Sequence, residues 1–340
     1  MTEKERLLSC LAGKKIERPP VICPGGMMSA ATTEILRKAK GNFHTDPLVM
    51  AETAEEIRRA TGFENLGVPF CMTVEAEPLG SVVDLGDAAV EPSVTAYAAR
   101  EPADITEHPF PDPQKEGRLP VVLEAISILA RRNTETPVIG NLTGPVSLAT
   151  SVIDPMKIFR LMRKKREDIH LLFSYLTEYL ISYARMQIAA GADVITIADP
   201  TATGEILGGV NFREFVSPCL IRLVKEIRAA GAGAIVHICG DAAVLLAELN
   251  KIKGAALSFD SLVNMRHAKE ELEGFPLMGN ISTQLLHQGT PDRIARAVKN
   301  SFDCGVEIIS PACGISLQTP LNNLRTLTGA VKGLNNDDRP

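Results

Sequence analysis

The sequence lacks the features typical of proteins that bind nucleic acids or membranes. It has no long face of lysine and arginine, and its formal net charge is −5, so nothing suggests a nucleic acid partner. It also has no apolar stretch close to the length of a membrane span. The start, Met1-Thr2-Glu3-Lys4-Glu5-Arg6, predicts a charged N-terminal helix rather than a signal peptide.

The cysteines do not form the pattern of a disulfide framework. Their number, seven, is odd, and their spacing matches no such framework. Reduced thiols in a cytoplasmic protein are therefore the expectation. The positions are 10, 23, 71, 219, 239, 304 and 313.

Internal repeats, low-complexity segments and linkers are also missing, so nothing divides the chain. Hydrophobic residues make up 45% of its 340 residues, enough for a sizeable core. The size range of the TIM barrel includes this length. A single domain over residues 1–340 is therefore predicted.

Strand and helix signals alternate along the whole chain. Such alternation implies parallel strands with crossover helices, and eight units of this kind close into a (β/α)8 TIM barrel. The predicted strands are Pro20–Cys23, Asn65–Pro69, Pro137–Asn141, Asp193–Ala198, Ala234–Ile238, Ala255–Phe259, Pro276–Gly279 and Val306–Ser310. The predicted helices are Asp46–Thr61, Val121–Arg132, Glu167–Ala190, Asn211–Ala230, Asp241–Lys251, Ala268–Glu273 and Asp292–Cys304.

The connection between the second and third predicted strands is too long for an ordinary barrel loop. It contains two stretches of period two, at 72–77 and 81–85, on either side of Gly80. They predict a β-hairpin across one end of the barrel, followed by an irregular proline-rich segment at 109–113. Long excursions of this kind often act as lids over a site, although a segment that only covers a barrel edge is the alternative.

His237, Cys239 and Cys313 lie at the ends of two predicted strands. Alternate strand residues point to the same side, so His237 and Cys239 are able to share a metal ion. One imidazole and two thiolates form a three-ligand zinc set with an open fourth position, as in catalytic sites. The alternative is a core histidine and two small buried cysteines. Gly240 and Gly314 favour the metal site, because glycine lets the backbone approach a ligand closely.

Other polar residues follow the predicted strands at the same end. In a TIM barrel the active site is built from the loops at the carboxyl ends of the strands. Polar side chains that meet there serve no core, so their convergence indicates a site at the barrel mouth. They are Asn141, Asp199, Asp260 and Asn280, in addition to the three candidate metal ligands.

Several motifs resemble those of the methylcobamide:coenzyme M methyltransferases, which belong to the uroporphyrinogen decarboxylase superfamily of barrels. The resemblance extends along nearly the whole chain. The His-x-Cys pair with a distant cysteine is specific within the superfamily, because the decarboxylases have no zinc. The chain also lacks their Met-Arg-Gln-Ala-Gly-Arg signature and has Pro24-Gly25-Gly26-Met27-Met28 in its place. The motifs are His237-Ile238-Cys239-Gly240, Ala312-Cys313-Gly314-Ile315, Ile197-Ala198-Asp199-Pro200, Gly279-Asn280-Ile281-Ser282, Thr319-Pro320-Leu321-Asn322 and Pro69-Phe70-Cys71-Met72-Thr73-Val74 with Glu77.

The resemblance implies transfer of a methyl group from a methylated corrinoid protein to a small thiol, with coenzyme M as the expected acceptor. It implies zinc, Zn2+, held by His237, Cys239 and Cys313, and a methylcobamide as the methyl donor. Zinc would bind the acceptor thiol and favour its ionised form, which is the nucleophile. A different acceptor, such as tetrahydrofolate or another thiol, and uroporphyrinogen decarboxylation are the alternatives.

Two acidic residues are catalytic candidates. Asp260 is predicted either to occupy the fourth zinc position before substrate arrives or to take the thiol proton, and the alternative is a helix cap. Asp199 is the second candidate, with a turn before Pro200 as its alternative role.

Four further residues are candidates for binding the substrate or the corrinoid. Glu77 lies on the predicted hairpin, and Asn141 follows the third strand. Asn280 and Ser282, at the end of the seventh strand, are expected to hold the anionic end of the acceptor, a sulfonate in coenzyme M. The alternative for Ser282 is a helix cap. The remaining histidines, including His44, have no partner motif and are expected at the surface.

Overall fold

The protein is described by a computed structural model that covers residues 1–272 and 274–339. The strands are β1 (Leu66–Val68), β2 (Val82–Asp84), β3 (Ser93–Ala96), β4 (Val138–Thr143), β5 (Val194–Ala198), β6 (Gly233–Ile238), β7 (Ala256–Phe259), β8 (Leu277–Ile281) and β9 (Ile308–Pro311). The helices are α1 (Glu3–Leu11), α2 (Thr33–Leu36), α3 (Pro47–Thr61), α4 (Ala103–Thr106), α5 (Leu119–Arg132), α6 (Pro145–Val152), α7 (Pro155–Lys164), α8 (Arg166–Ala189), α9 (Gly204–Asn211), α10 (Ser217–Ala229), α11 (Leu246–Leu249), α12 (Met265–Glu271), α13 (Thr283–Gln288), α14 (Pro291–Asp303) and α15 (Leu321–Lys332).

Seven of the described strands form one parallel sheet, in the order β1-β4-β5-β6-β7-β8-β9. Strands β4 to β7 are buried at every position, as is usual for parallel strands covered on both faces. Helices occupy the connections between these strands. The parallel α/β architecture predicted from the alternating signals is confirmed.

The interior of the curled sheet is filled by apolar side chains. Ile139, Val194 and Met278 belong to a buried cluster separate from the larger one between the sheet and the helices. Leu7 of α1 is part of the same inner cluster, so α1 covers the end of the sheet at which the strands begin. The opposite end, where the strands finish, carries the residues of the candidate site.

Residues 20–23 do not form the predicted first strand but lie between β9 and the start of β1. Val21 makes a single parallel bridge with Ile309. Two further amides of the segment donate hydrogen bonds to side chains and not to a neighbouring strand: the Val21 amide to Glu64 and the Cys23 amide to Asn65. Pro20 has no amide hydrogen. A continuous ladder therefore cannot form, and the first of the eight predicted strands is reduced to one bridge.

Of the two predicted arms of the hairpin after β1, residues 81–85 contain β2, whereas residues 72–77 are not a strand. Residues 82–84 pair with residues 93–96 as an antiparallel ribbon, whereas residues 72–77 form turns. Val74, Glu75 and Ala76 are all buried, so polar and apolar side chains do not alternate between solvent and interior here. The Glu75 carboxylate accepts hydrogen bonds from the amide and hydroxyl of Thr143.

Most of the predicted helices agree with the structure. Four of them correspond to α3, α5, α8 and α14 within two residues at either end. The segment predicted as the helix Asn211–Ala230 has a π-helical turn over Phe212–Val216 before α10. The segment predicted as the helix Asp241–Lys251 contains only a 3-10 turn and the short α11. Helix α12 begins before the predicted Ala268, because Asn264 caps it, and the predicted end at Glu273 lies outside the described residues.

The extent of the domain stays a prediction, and the last residue of 1–340 lies outside the described part of the chain. Among the described residues, no helix has both the length and the apolar character required to cross a membrane.

Candidate metal centre and substrate cavity

His237, Cys239 and Cys313 lie together at the carboxyl end of the sheet. His237 is the last residue but one of β6, Cys239 follows β6 directly, and Cys313 lies just beyond β9. One ligand atom from each residue lies within 4.8 Å of the other two. His237 Nε2 is 3.2 Å from Cys239 Sγ, and that sulfur is 2.7 Å from Cys313 Sγ. The structure therefore brings the three sequence candidates into one cluster.

The two thiols of the cluster are reduced and share a hydrogen bond. Their separation of 2.7 Å is longer than the roughly 2.05 Å of a disulfide bond. The hydrogen bond from Cys239 lowers the pKa of Cys313, against the effect of burial, and the same bond together with burial raises the pKa of Cys239. The pair loses one proton readily and holds the second. A cation between the sulfurs would remove this resistance, because it would stabilise two neighbouring thiolates.

Ser258 orients the imidazole of His237. The two residues are register partners on β6 and β7, and both are fully buried. The Nδ1 atom of His237 is 3.0 Å from the Ser258 hydroxyl oxygen. A hydrogen bond at Nδ1 fixes the ring and leaves Nε2 as the atom that points to the cysteines.

Substitution Ser258→Ala is expected to weaken metal binding without unfolding the protein. Loss of a hydrogen-bond partner behind a histidine ligand typically reduces metal affinity by about 10- to 100-fold. Competition with a chromophoric chelator measures the change. Ser310→Ala is a matched control, because Ser310 is equally buried but its hydroxyl donates to the Pro311 carbonyl. An unchanged affinity in Ser258→Ala would contradict the orienting role.

A cavity of about 370 Å³ leads to the cluster, with Cys313 in its wall. Met27 lines it from the segment after residues 20–23, and Phe70 and Cys71 line it from the loop after β1. Asp87 and Glu91, from the connection between β2 and β3, form its outer side. The β2-β3 hairpin therefore borders the route to the candidate metal ligands.

Asp260 lies on the loop after β7, beside the cluster, and Asn280 of β8 is hydrogen-bonded to this loop. The charge of Asp260 contributes to the raised pKa of Cys239, after the stronger effects of the Cys313 hydrogen bond and burial. Asp260 Oδ1 accepts hydrogen bonds from the Ser261 hydroxyl and the Leu262 amide. The Asn280 side-chain amide donates to the Asp260 and Val263 carbonyls, each at 3.0 Å. Asn280 therefore holds the loop that carries Asp260.

The side chains of Asp199 and Ser282 each accept hydrogen bonds from the first turn of a helix. Asp199 is fully buried, and its carboxylate accepts hydrogen bonds from the Val146 amide and from the amide and hydroxyl of Ser147, in the first turn of α6. Burial raises the pKa of Asp199 to about 6, against these hydrogen bonds. The Ser282 hydroxyl accepts from the Leu285 amide and caps α13. Both side chains thus hold local backbone.

Asn141 and Glu77 also bind neighbouring protein groups. The Asn141 amide donates to the carbonyls of Pro24, at 3.0 Å, and Val68, at 2.9 Å. It thereby joins β4 to β1 and to the segment that lines the cavity. The Glu77 carboxylate accepts a hydrogen bond of 2.8 Å from the Arg118 guanidinium.

Two residues of the site, Ser258 and His44, were not predicted from the sequence. Ser258 carries no motif, and its contact with His237 follows only from the register of two neighbouring strands. The expectation that His44 lies at the surface is wrong, since only 4% of it is exposed and it lines the cavity. Its local sequence contains no periodic pattern that indicates burial.

Comparison with known proteins gives the family. The family model described as uroporphyrinogen decarboxylase (URO-D) matches residues 2–334. A methylcobamide:CoM methyltransferase of Methanosarcina acetivorans is 32% identical, over 97% of this chain and 98% of that protein. A second protein of that name, from Methanosarcina barkeri, is 31% identical over 97% of each chain. The solved structure of a methyltransferase from Methanosarcina mazei aligns with a TM-score of 0.86 and 29% identity, over 98% of both chains. The chain therefore belongs to the uroporphyrinogen decarboxylase superfamily and, within it, to the methylcobamide:coenzyme M methyltransferase family.

Proposed function

We propose that this methyltransferase transfers a methyl group from a methylated corrinoid protein to a small thiol, with coenzyme M as the favoured acceptor. The observation that carries the proposal is the cluster of His237, Cys239 and Cys313, whose ligand atoms lie within 4.8 Å of one another beside a cavity. The names of the similar proteins supply the methyl donor and the acceptor.

The donor atoms of the cluster fit a zinc ion. Imidazole nitrogen and thiolate sulfur are the ligands that Zn2+ commonly takes, and three of them leave a fourth position for substrate. His237 would bind through Nε2, because Nδ1 faces Ser258. When bound, zinc would supply Lewis acidity that keeps the acceptor sulfur ionised and nucleophilic at neutral pH.

The overall reaction forms a sulfur–methyl bond on the acceptor and breaks the cobalt–methyl bond of the donor. Both electrons of the broken bond stay on cobalt, which gives cob(I)amide, and the acceptor thiol loses its proton. We propose that Asp260 receives that proton, or holds the fourth position of the ion before substrate arrives. Its place beside Cys239 supports both roles. Cys313, in the cavity wall, marks the point at which the acceptor sulfur meets the cluster.

The remaining candidates support the site in this proposal. Asn280 holds the Asp260 loop, and Asp199 anchors α6. Asn141 fixes the segment at Pro24, and Glu77 holds Arg118, which contacts Cys71 in the cavity wall. A direct contact of Asn280 or Ser282 with the anionic end of the acceptor also stays a prediction.

Methylcobalamin is expected to react with thiols in the presence of the zinc-loaded protein, and fastest with coenzyme M. The reaction is followed anaerobically by the absorbance of cob(I)alamin, with coenzyme M, 2-mercaptoethanol, homocysteine and tetrahydrofolate as separate acceptors. Methylation of tetrahydrofolate alone would contradict the thiol acceptor and favour the first alternative. Conversion of uroporphyrinogen without any methyl transfer would favour a decarboxylase.

A further inference from the structure

His44 is a buried polar side chain in the cavity that the reaction described above does not use. It lines the cavity together with Cys71 and Cys313, and 4% of its surface is exposed. Its Nδ1 atom is buried without a hydrogen-bond partner among the described residues. Buried polar side chains nearly always have a hydrogen-bond partner. Nε2 of His44 has none among the described residues either, and it is not enclosed as Nδ1 is, so Nε2 is the atom that a molecule bound in the cavity would meet.

The imidazole of His44 is neutral and offers one N–H group. Burial, with a smaller effect of the Arg118 charge, lowers the pKa of His44 to about 4. A neutral imidazole carries its proton on one nitrogen only. A buried N–H group without an acceptor is costly, so the proton is favoured on Nε2 and not on the enclosed Nδ1. The Nε2–H group is then available as a donor to a bound molecule.

Arg118 supplies a positive charge behind the part of the cavity wall that contains His44 and Cys71, and it is 5% exposed. Its guanidinium donates to Cys71 Sγ at 3.5 Å and to Thr73 Oγ1 at 2.7 Å, and it pairs with Glu77 at 2.8 Å. The field that disfavours a proton on His44 favours an anion at the same place. The carboxylates of Asp87 and Glu91 lie on the exposed outer side of the cavity.

We propose that His44 binds the anionic end of the acceptor, so that a short thiol with a terminal sulfonate spans the cavity from His44 to the Cys313 sulfur. This inference rests on the proposed function and names the substrate class of the same site. It differs from the sequence prediction at Asn280 and Ser282, since the Asn280 side-chain amide already donates to the Asp260 and Val263 carbonyls and the Ser282 hydroxyl caps α13.

Binding of ethanesulfonate tests the inference without methyl transfer, because this probe has the anionic end but no thiol. Calorimetric titrations compare the full-length wild type with His44→Phe, His44→Gln and Asn280→Ala. Loss of a hydrogen bond to a charged group costs about 10- to 150-fold in affinity, which is the weakening expected for His44→Phe. His44→Gln is expected to recover most of the binding, since its amide nitrogen replaces Nε2 as a donor. Asn280→Ala tests the sequence prediction, in which Asn280 and not His44 would hold the anion.

Kinetics provide a second measurement. With methylcobalamin as donor, His44→Phe is expected to raise KM for 2-mercaptoethanesulfonate about 10- to 150-fold. KM for the uncharged 2-mercaptoethanol and kcat at saturation should change little. Unchanged circular dichroism and zinc content exclude misfolding as the cause.

Three results would overturn the inference: no binding of ethanesulfonate by the wild type, equal binding by His44→Phe, or a loss confined to Asn280→Ala. Failure of the proposed function looks different. In that case no thiol is methylated, while ethanesulfonate binding still depends on His44.

Discussion

The double variant Cys239→Ala, Cys313→Ala is expected to contain no zinc, whereas the wild type carries about one ion per chain in a tetrahedral site. The substitutions remove both candidate sulfur ligands and leave only the imidazole of His237 from the cluster. Zinc held by several protein ligands has an apparent binding free energy on the order of 10–16 kcal/mol at neutral pH, and the ionised thiolates provide much of it. Elemental analysis after gel filtration measures the metal content, and methylation of coenzyme M should be lost with it.

The control for this experiment removes two thiols elsewhere. Cys219 lies in α10 and Cys304 caps the end of α14, and both are partly exposed. The variant Cys219→Ala, Cys304→Ala should retain zinc and activity. Circular dichroism of all proteins distinguishes loss of the metal from loss of the fold. Full zinc occupancy in the Cys239 and Cys313 double variant would show that the ion is held by other residues.

The cluster was predictable because two general rules of β-structure place its three residues. His237 and Cys239 are two residues apart at the end of a strand, so their side chains point to the same side, and this does not depend on the rest of the fold. Cys313 follows a separate strand, but parallel strands of one sheet finish at the same edge, and β9 begins and ends close to its predicted position. The strand rule and the sheet rule together were enough to bring three residues into one place.

The supporting contacts were not predictable in the same way. The side chains of Glu64 and Asn65 replace backbone partners of residues 20–23, and this replacement turns a predicted strand into a bridge. Ser258 and His44 gained their roles from strand register and cavity shape, which single-sequence patterns do not encode. Helices α6 and α7 were also missed, although each begins with a proline in its first turn, a start signal that their sequences contain.

Substitution Glu64→Ala is expected to lower the free energy of unfolding by about 3–5 kcal/mol, because it removes the shared partner of the buried Arg6 and the partly buried Arg18. Glu64 is 1% exposed. Its Oε1 atom accepts from Arg6 Nη1 at 3.3 Å and from Arg18, and its Oε2 atom accepts from Arg18 Nη1 at 3.0 Å and from the Val21 amide at 3.2 Å. One carboxylate thus connects α1, the segment that bridges to β9, and the residues before β1.

Urea denaturation of the purified protein measures this loss, and Glu56→Ala is the matched control. Glu56 pairs with Arg59 one helical turn away, and the Arg59 side chain is 77% exposed. Exposed pairs of this kind contribute about 0–1 kcal/mol, so the control should stay close to the wild type. Glu64→Gln keeps the size of the side chain but removes the countercharge of Arg18 and leaves Arg6 with that of Glu17 alone. It should therefore lie nearer to Glu64→Ala than to the wild type. If Glu64→Ala and Glu56→Ala unfolded at the same urea concentration, the contacts of Glu64 would not be what holds residues 20–23 between the two edge strands.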